Sequence, residues 1–371
     1  MSNVKASNIP TMSVETLVDQ LAPVYCAVIK QGLPLKSVPS VMLWGPPGVG
    51  KSQAIRQLAQ QIEEETGKRT AVTDVRLLLF NPIDLRGIPT ANADKTLAVW
   101  LKPQIFQMDE GEDVINILFL DEISAAPQSV QAAAYQITLD RVVGEHRLPD
   151  NCIVIAAGNR VTDKSVAFKM PKALANRVLH VEVESSFRAW KAWAIRSGAN
   201  EKVIGFLSFR QDYLMGFDAT NEDLAFATPR SWEMVSSLLN TVGGDVERVY
   251  NLIAGLVGCG VAMEFRTWAK VYHSLPRISD IFEGKSAPLP SDSDAMYALT
   301  SAMLAYAREH KGEMKKIANS IVYASKMPPD FSAVLLKDYM YIEKNYKEKL
   351  LAIPEFERWL RTKGRLINGT V

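Results

Sequence analysis

Cysteine is scarce and scattered in this sequence. Cys26, Cys152 and Cys259 are odd in number and form no CxxC pair, which excludes a disulfide framework or a cysteine zinc site and leaves reduced core residues. The four histidines, His146, His180, His273 and His310, are equally dispersed, so neither a metal cluster nor a histidine relay to a nucleophile finds support. Net charge is nearly absent, with 42 Lys and Arg against 41 Asp and Glu. That balance removes any global electrostatic drive toward nucleic acid or an anionic membrane. No apolar run reaches the length of a membrane span. Met1 to Met12 also lacks the basic start and apolar run of a secretory signal, so a cytosolic protein without membrane insertion is expected. Internal repeats and low-complexity tracts are missing as well. What remains is a chain of 371 residues, 47% hydrophobic, long enough for two or three domains with real cores.

The most specific stretch is Val41-Met42-Leu43-Trp44-Gly45-Pro46-Pro47-Gly48-Val49-Gly50-Lys51-Ser52. A short apolar strand runs into a glycine loop ending in Lys-Ser, and Ile55, Leu58, Ala59 and Ile62 then recur with helical spacing. This is the full GxxxxGK[ST] pattern in its required strand-loop-helix context. Gly45, Gly48 and Gly50 let backbone N–H groups turn inward as a nest for phosphates. The loop residues Pro46, Pro47 and Val49 complete the wrap, Lys51 adds a point charge near the β- and γ-phosphates, and Ser52 offers a hydroxyl to Mg²⁺ at a helix N-terminus. ATP and Mg²⁺ are the expected ligands.

Downstream, Val114 to Leu120 is an almost unbroken apolar run that ends in Asp121-Glu122, as expected of a parallel strand buried on both faces. Ligands of open α/β sheets sit outside the carboxyl edge, so this acid pair should emerge beside the phosphates. Asp121 can hold the metal and Glu122 can polarise the attacking water. Cys152 to Gly158 forms the next buried run and ends in Asn159 at the same edge, where it could place that water. Ala71 to Phe80 and Val178 to Val183 read as further strands, Ser13 as the N-cap of a helix over residues 13–31, and Pro89 to Pro103 as a hairpin standing out from the sheet. Residues 128–140 read as a helix, 141–145 as a turn or small hairpin, and Pro171 to Arg177 as a short helix. From Ser185 onward the pattern is helical throughout. Helices are expected over 187–196, 201–210, 231–240, 245–256, 261–273, 294–308, 313–326, 330–351 and 354–363, with a loop at 281–292. The resulting fold class is an α/β P-loop NTPase with a parallel five-stranded sheet covered by helices on both faces, followed by α-rich segments.

Taken together, these residues resemble the AAA+ ATPases, and within them the MoxR branch and its dynein-related relatives. Asp121-Glu122-Ile123-Ser124-Ala125-Ala126-Pro127-Gln128-Ser129-Val130-Gln131 with Leu139-Asp140-Arg141 is similar to that branch's DEINRAPxxxQ run and later ExR. Asp84-Leu85-Arg86-Gly87 with Leu101-Lys102-Pro103 resembles its DLxG and pore-side insertion in helix 2, and Ala227-Thr228-Pro229-Arg230 its S-P-R. The resemblance spans residues 14 to about 240. It implies a homo-oligomer, a hexameric ring with ATP between subunits, with a nucleotide-binding domain (1–184, insertion near 84–103) and an α-helical lid (185–274); the helical pattern itself makes 275–371 an α-rich C-terminal region. The resemblance also implies roles: Asn159 as sensor 1, Arg230 as sensor 2, and Arg177 as an arginine finger for the neighbouring subunit. Ser124 and Ala125 stand where the family usually has Asn-Arg, and Asn176 where Asp often precedes the finger, so Arg141 and Arg160 stay open as alternative trans arginines. The implied function is ATP-driven remodelling of a partner protein carrying a von Willebrand factor A domain. A nucleic-acid motor related to restriction NTPases is the alternative; Asn159 to Ser165 faintly resembles that relative's nucleotide signature, with Arg160-Val161 interrupting it. A non-catalytic nucleotide switch is the third, and Glu122 argues against it.

Overall fold

The computed structural model describes residues 8–160, 170, 175–220 and 223–363. The stretch Val161 to Ser165 lies outside the described residues, as does most of the helix expected over Pro171 to Arg177. The described chain divides into two compact units, Met1–Ser186 with Asp218–Glu222, and Phe187–Phe217 with Asp223–Val371.

The first unit is organised by strands whose side chains alternate between two apolar layers. Along Val114–Asp121, Ile115, Ile117 and Phe119 enter one core while Leu118 and Leu120 enter the other. Cys152–Gly158 divides in the same way, with Ile153, Ile155 and Ala157 on one face and Cys152, Val154 and Ala156 on the other. Double-sided burial at roughly 1.5–3 kcal/mol per large apolar side chain holds these strands at the centre.

In chain order the strands are β1 (Thr11–Ser13), β2 (Val41–Trp44), β3 (Arg69–Arg76), β4 (Ile88–Ala91), β5 (Ala98–Leu101), β6 (Val114–Asp121), β7 (Val142–Val143), β8 (His146–Arg147), β9 (Cys152–Gly158) and β10 (Leu179–Glu184). Six of them form one sheet in the order β1-β10-β2-β9-β6-β3, and every neighbouring pair runs parallel. Helices α1 (Val14–Lys30) and α2 (Lys51–Thr66) cover one face, and α4 (Gln128–Asp140) the other; the short α3 (Pro82–Arg86) precedes β4. β4 and β5 pair as the expected antiparallel hairpin, and β7 with β8 as a smaller one.

The fold class stands as read from the sequence, with one correction: the sheet has six strands, not five. The extra strand, Thr11–Ser13, pairs with β10 and is too short to show a periodicity of two. Ser13 both ends it and caps α1, its hydroxyl accepting from the Thr16 amide at 3.2 Å. The expected strand over Ala71 to Phe80 is shorter at its end, because Leu77–Leu79 turns into a 3₁₀ helix with Leu77 buried and Leu78 and Leu79 exposed.

Among its described residues the second unit contains helices and no strand: Phe187–Ser197, Glu201–Phe209, Pro229–Thr241, Tyr250–Val257, Cys259–Ala269, Ile278–Phe282, Ser293–Glu309, Met314–Ala324, Pro329–Tyr339, Tyr346–Leu351 and Pro354–Lys363. One apolar core runs from Trp190 to Trp359. The helix expected over 330–351 is two helices, because Asn345 takes a left-handed φ of 62° that no helix interior accepts. Within this apolar unit Lys191 and Asp338 form an ion pair at 2.6 Å with both side chains nearly buried, joining the helices Phe187–Ser197 and Pro329–Tyr339. No helix among the described residues is long and apolar enough to cross a membrane.

Candidate functional site

The glycine loop leaves β2 in the middle of the parallel sheet, where only a residue without a side chain fits. A Cβ at Gly45 would stand 2.6 Å from the Val183 carbonyl oxygen of the adjacent strand. Gly50, which caps α2, has a φ of 109°, a region that L side chains avoid. These two positions bring the backbone close around the loop and point the first turn of α2 at its interior, the arrangement that collects anions.

Four residues expected at the site meet there. The Lys51 ammonium, largely buried, donates to the Gly45 carbonyl (2.6 Å), the Pro46 carbonyl (3.1 Å) and Asn159 Oδ1 (3.0 Å). The Ser52 hydroxyl donates to Asp121 Oδ2 at 3.2 Å. Two hard oxygen ligands in adjacent positions of a magnesium octahedron with bonds of about 2.1 Å lie about 3 Å apart, so the Ser52–Asp121 spacing fits Mg²⁺. Pro47, Gly48 and Val49 complete the loop between them.

Glu122 follows directly. Its amide donates to Asp121 Oδ1 at 2.8 Å, and its φ of 59° is left-handed, a conformation that costs a non-glycine residue roughly 1–2 kcal/mol. Backbone strain of this kind concentrates where function over-determines geometry.

The turn after the acid pair is tied to Asn159 by residues whose roles the sequence did not reveal. Ser124 Oγ accepts from the Asn159 amide at 2.8 Å. The buried Gln131 side chain donates to the carbonyls of Ser124 (3.2 Å) and Ala126 (2.9 Å). Asp74 of β3 adds a third carboxylate nearby, its pKa raised by desolvation and then by the charge of Asp121. A strand residue at the register position opposite Phe119 carries no local motif that would single it out.

The arginines separate clearly. Arg177 precedes β10, at the amino edge of the parallel sheet, whereas the glycine loop leaves the carboxyl edge. It is exposed and pairs with Asp140 across 3.2 Å. Arg141 donates to the backbone carbonyls of Cys152 (2.5 Å) and Val38 (3.3 Å), which makes it a brace between β9 and the segment before β2. Arg160 pairs with Glu182. Arg230 lies exposed in the first turn of Pro229–Thr241 in the second unit, behind a capping box formed by Thr228 and Ser231.

Residues 40–180 match the model of a family described as ATPase family associated with various cellular activities (AAA). No curated protein matches the chain. Solved structures similar to it include PCH-2 of C. elegans (15% identity, 82% of this chain and 70% of that one, TM-score 0.34). RuvB of Thermotoga maritima, as a P216G mutant, is similar at 16% identity over 80% of this chain and 86% of that one, TM-score 0.37. NtrX of Brucella abortus in complex with ADP is similar at 14% identity over 95% and 67%, TM-score 0.36. The matched segment contains the glycine loop, the acid pair and Asn159.

Proposed function

We propose that this chain is a MoxR-type AAA+ ATPase that assembles as a homo-oligomeric, hexameric ring in the cytosol and uses ATP hydrolysis to remodel a partner protein carrying a von Willebrand factor A domain. The observation that carries the reading is the convergence of Lys51, Ser52, Asp121 and Asn159 at one edge of the sheet. In this reading the loop amides and Lys51 bind the phosphates of ATP, and Ser52 and Asp121 would hold Mg²⁺, which would supply neutralising charge for the phosphates. Glu122 accepts a proton from the attacking water, and Asn159, held by Lys51 and Ser124, orients that water. Residues 1–184 act as the nucleotide-binding domain, 185–274 as the lid carrying Arg230, and 275–371 as its α-rich extension.

Arg177 is the proposed finger. β2 spans four residues, about 13 Å at 3.3 Å per residue, and Arg177 lies beyond its far end from the glycine loop. An arginine there is better placed for a neighbour's γ-phosphate than for its own. Its exposed pair with Asp140 is of a kind worth at most about 1 kcal/mol, easily exchanged for a phosphate. The hairpin β4–β5 suits contact with a client: Ile88, Leu97 and Leu101 are each more than half exposed, and the hairpin supplies no ligand to the phosphate site.

Mixing is the test. Arg177→Ala and Lys51→Ala are each expected to be inactive, and their mixture to regain hydrolysis, because a mixed interface pairs an intact loop with an intact finger. Absence of rescue at every mixing ratio, with mixed assembly verified, would remove Arg177 from this role.

A further inference from the structure

Beyond the backbone ladder, an imidazole ties the segment that presents Arg177 to the strand that feeds the glycine loop. Trp44, the last residue of β2, donates its indole N–H to His180 Nδ1 at 2.9 Å. On the other side of the ring, His180 Nε2 lies 2.7 Å from the Ala175 carbonyl, two residues before Arg177. A carbonyl can only accept and an indole N–H can only donate, so Nε2 carries the proton and Nδ1 is bare. Both ring nitrogens are therefore used, and each fixes the tautomer that the other needs. The indole also stacks on the imidazole, with ring centroids 6.1 Å apart and planes 20° apart. Register places the two on one face: His180 pairs with Met42, and Trp44 with Glu182, in adjacent parallel strands. The link runs diagonally along the sheet, from the end of β2 that enters Gly45 toward the edge where Arg177 stands.

We propose that Trp44 and His180 are a positioning pair for the arginine finger, linking the mouth of a subunit's own glycine loop to the Arg177 that the subunit offers its neighbour. This rests on the reading of Arg177 given above. His180 touches no phosphate ligand; it holds the Ala175 carbonyl, and through it the turn from which Arg177 extends. The immediate neighbours support the assignment. Glu182, the register partner of Trp44, holds Arg160, which follows Asn159 just beyond the end of β9, so β10 carries a second tie, this one to the Asn159 segment. Besides the Trp44–His180 link, the described residues around Arg177 are held by its exposed pair with Asp140, by the packing of Val178 against the core and by the Leu179 amide donating to the Ser40 carbonyl at 2.9 Å; of these the imidazole alone reaches the Ala175 carbonyl ahead of the arginine.

The test separates defects in a subunit's own site from defects in the finger it supplies. His180→Gln can set its amide N–H where Nε2 stood, toward the Ala175 carbonyl, but then has no acceptor at the place of Nδ1 for Trp44; His180→Phe keeps the stack and loses both bonds. At a net factor of roughly five per ordinary hydrogen bond, turnover at saturating ATP is expected to fall about fivefold and about twenty-fivefold respectively, with nucleotide affinity unchanged. Trp44→Phe, which removes the donor alone, should match His180→Gln. Adding excess Lys51→Ala subunits to His180→Phe should then raise hydrolysis per His180→Phe loop severalfold, because each such loop now receives a well-held finger. Adding Arg177→Ala subunits should not raise it.

The reverse pattern, rescue by Arg177→Ala but not by Lys51→Ala, would place the defect in the subunit's own loop and overturn the proposal. Full activity of His180→Phe would overturn it equally. The Arg177→Ala and Lys51→Ala mixture, run alongside, reports on the finger itself: its failure overturns the reading of Arg177, whereas its success with no gain for His180→Phe overturns only the positioning role.

Discussion

Replacing Lys191 by Met should turn the stability of the second unit into a steep function of pH. Lys191 Nζ lies 2.6 Å from Asp338 Oδ2 with the side chains 10% and 9% exposed, and it also lies 5.9 Å from the Phe187 ring centroid. Removing one partner of a buried pair costs roughly 3–5 kcal/mol when the other stays charged. Asp338 has a way out. Burial already pushes its pKa above the usual carboxylate range, with Lys191 and then Lys337 pulling the other way. Once Lys191 is gone, the carboxyl should take up a proton in the folded state. A raised folded pKa means that the native state binds more protons than the unfolded state, so stability falls as pH rises between the two pKa values, by about 1.4 kcal/mol per pH unit. Urea unfolding of the whole chain, followed by tryptophan fluorescence from about pH 5.5 to about pH 8, measures that slope. Trp190, Trp193, Trp232, Trp268 and Trp359 all belong to the second unit, so the signal is weighted toward the unit that holds the pair. The double variant Lys191→Met/Asp338→Leu should regain much of the loss and show no added slope. Equal pH dependence of wild type and Lys191→Met, or a double variant no more stable than the single, would refute the reasoning.

Two further outcomes follow from local geometry. Glu122→Gly should be more stable than Glu122→Gln by about 1 kcal/mol, because glycine accepts the φ of 59° without strain; equal urea midpoints would show that the turn carries no strain. Replacing Asn92 to Thr96 at the tip of the β4–β5 hairpin with a short Gly-Ser link should leave basal ATP hydrolysis within about threefold while partner-dependent stimulation falls much further, since no nucleotide ligand is removed. Intact stimulation on the same protein would place the client contact elsewhere.

What could be read from the sequence was whatever depends on neighbours in the chain. The glycine loop, the apolar strand ending in Asp121-Glu122 and the polar end of β9 at Asn159 are each set by a few consecutive residues, and the sheet rule that gathers them at one edge is general. The β4–β5 hairpin was legible from two apolar runs around a polar tip. β1 was not, because three residues have no period and its only support is pairing with β10. The break at Asn345 was hidden inside a continuous helical pattern. Ser124 was noticed as a departure from a family pattern, yet its hold on the Asn159 amide depends on a residue 35 positions away. The Trp44–His180 bond spans 136 positions, and the Lys191–Asp338 pair joins two helices that no periodicity connects. Such pairings come from packing, which a single sequence does not display.

The central claim is that one edge of this sheet binds and hydrolyses ATP with Lys51 as the phosphate ligand and Glu122 as the base. The most direct measurement is nucleotide binding and phosphate release, side by side with Mg²⁺ present, for wild type, Lys51→Ala and Glu122→Gln. The account expects Lys51→Ala to lose binding, and Glu122→Gln to bind ATP as wild type does while releasing phosphate at least about a hundredfold more slowly. Hydrolysis by Glu122→Gln at the wild-type rate, or undiminished binding by Lys51→Ala, would contradict it.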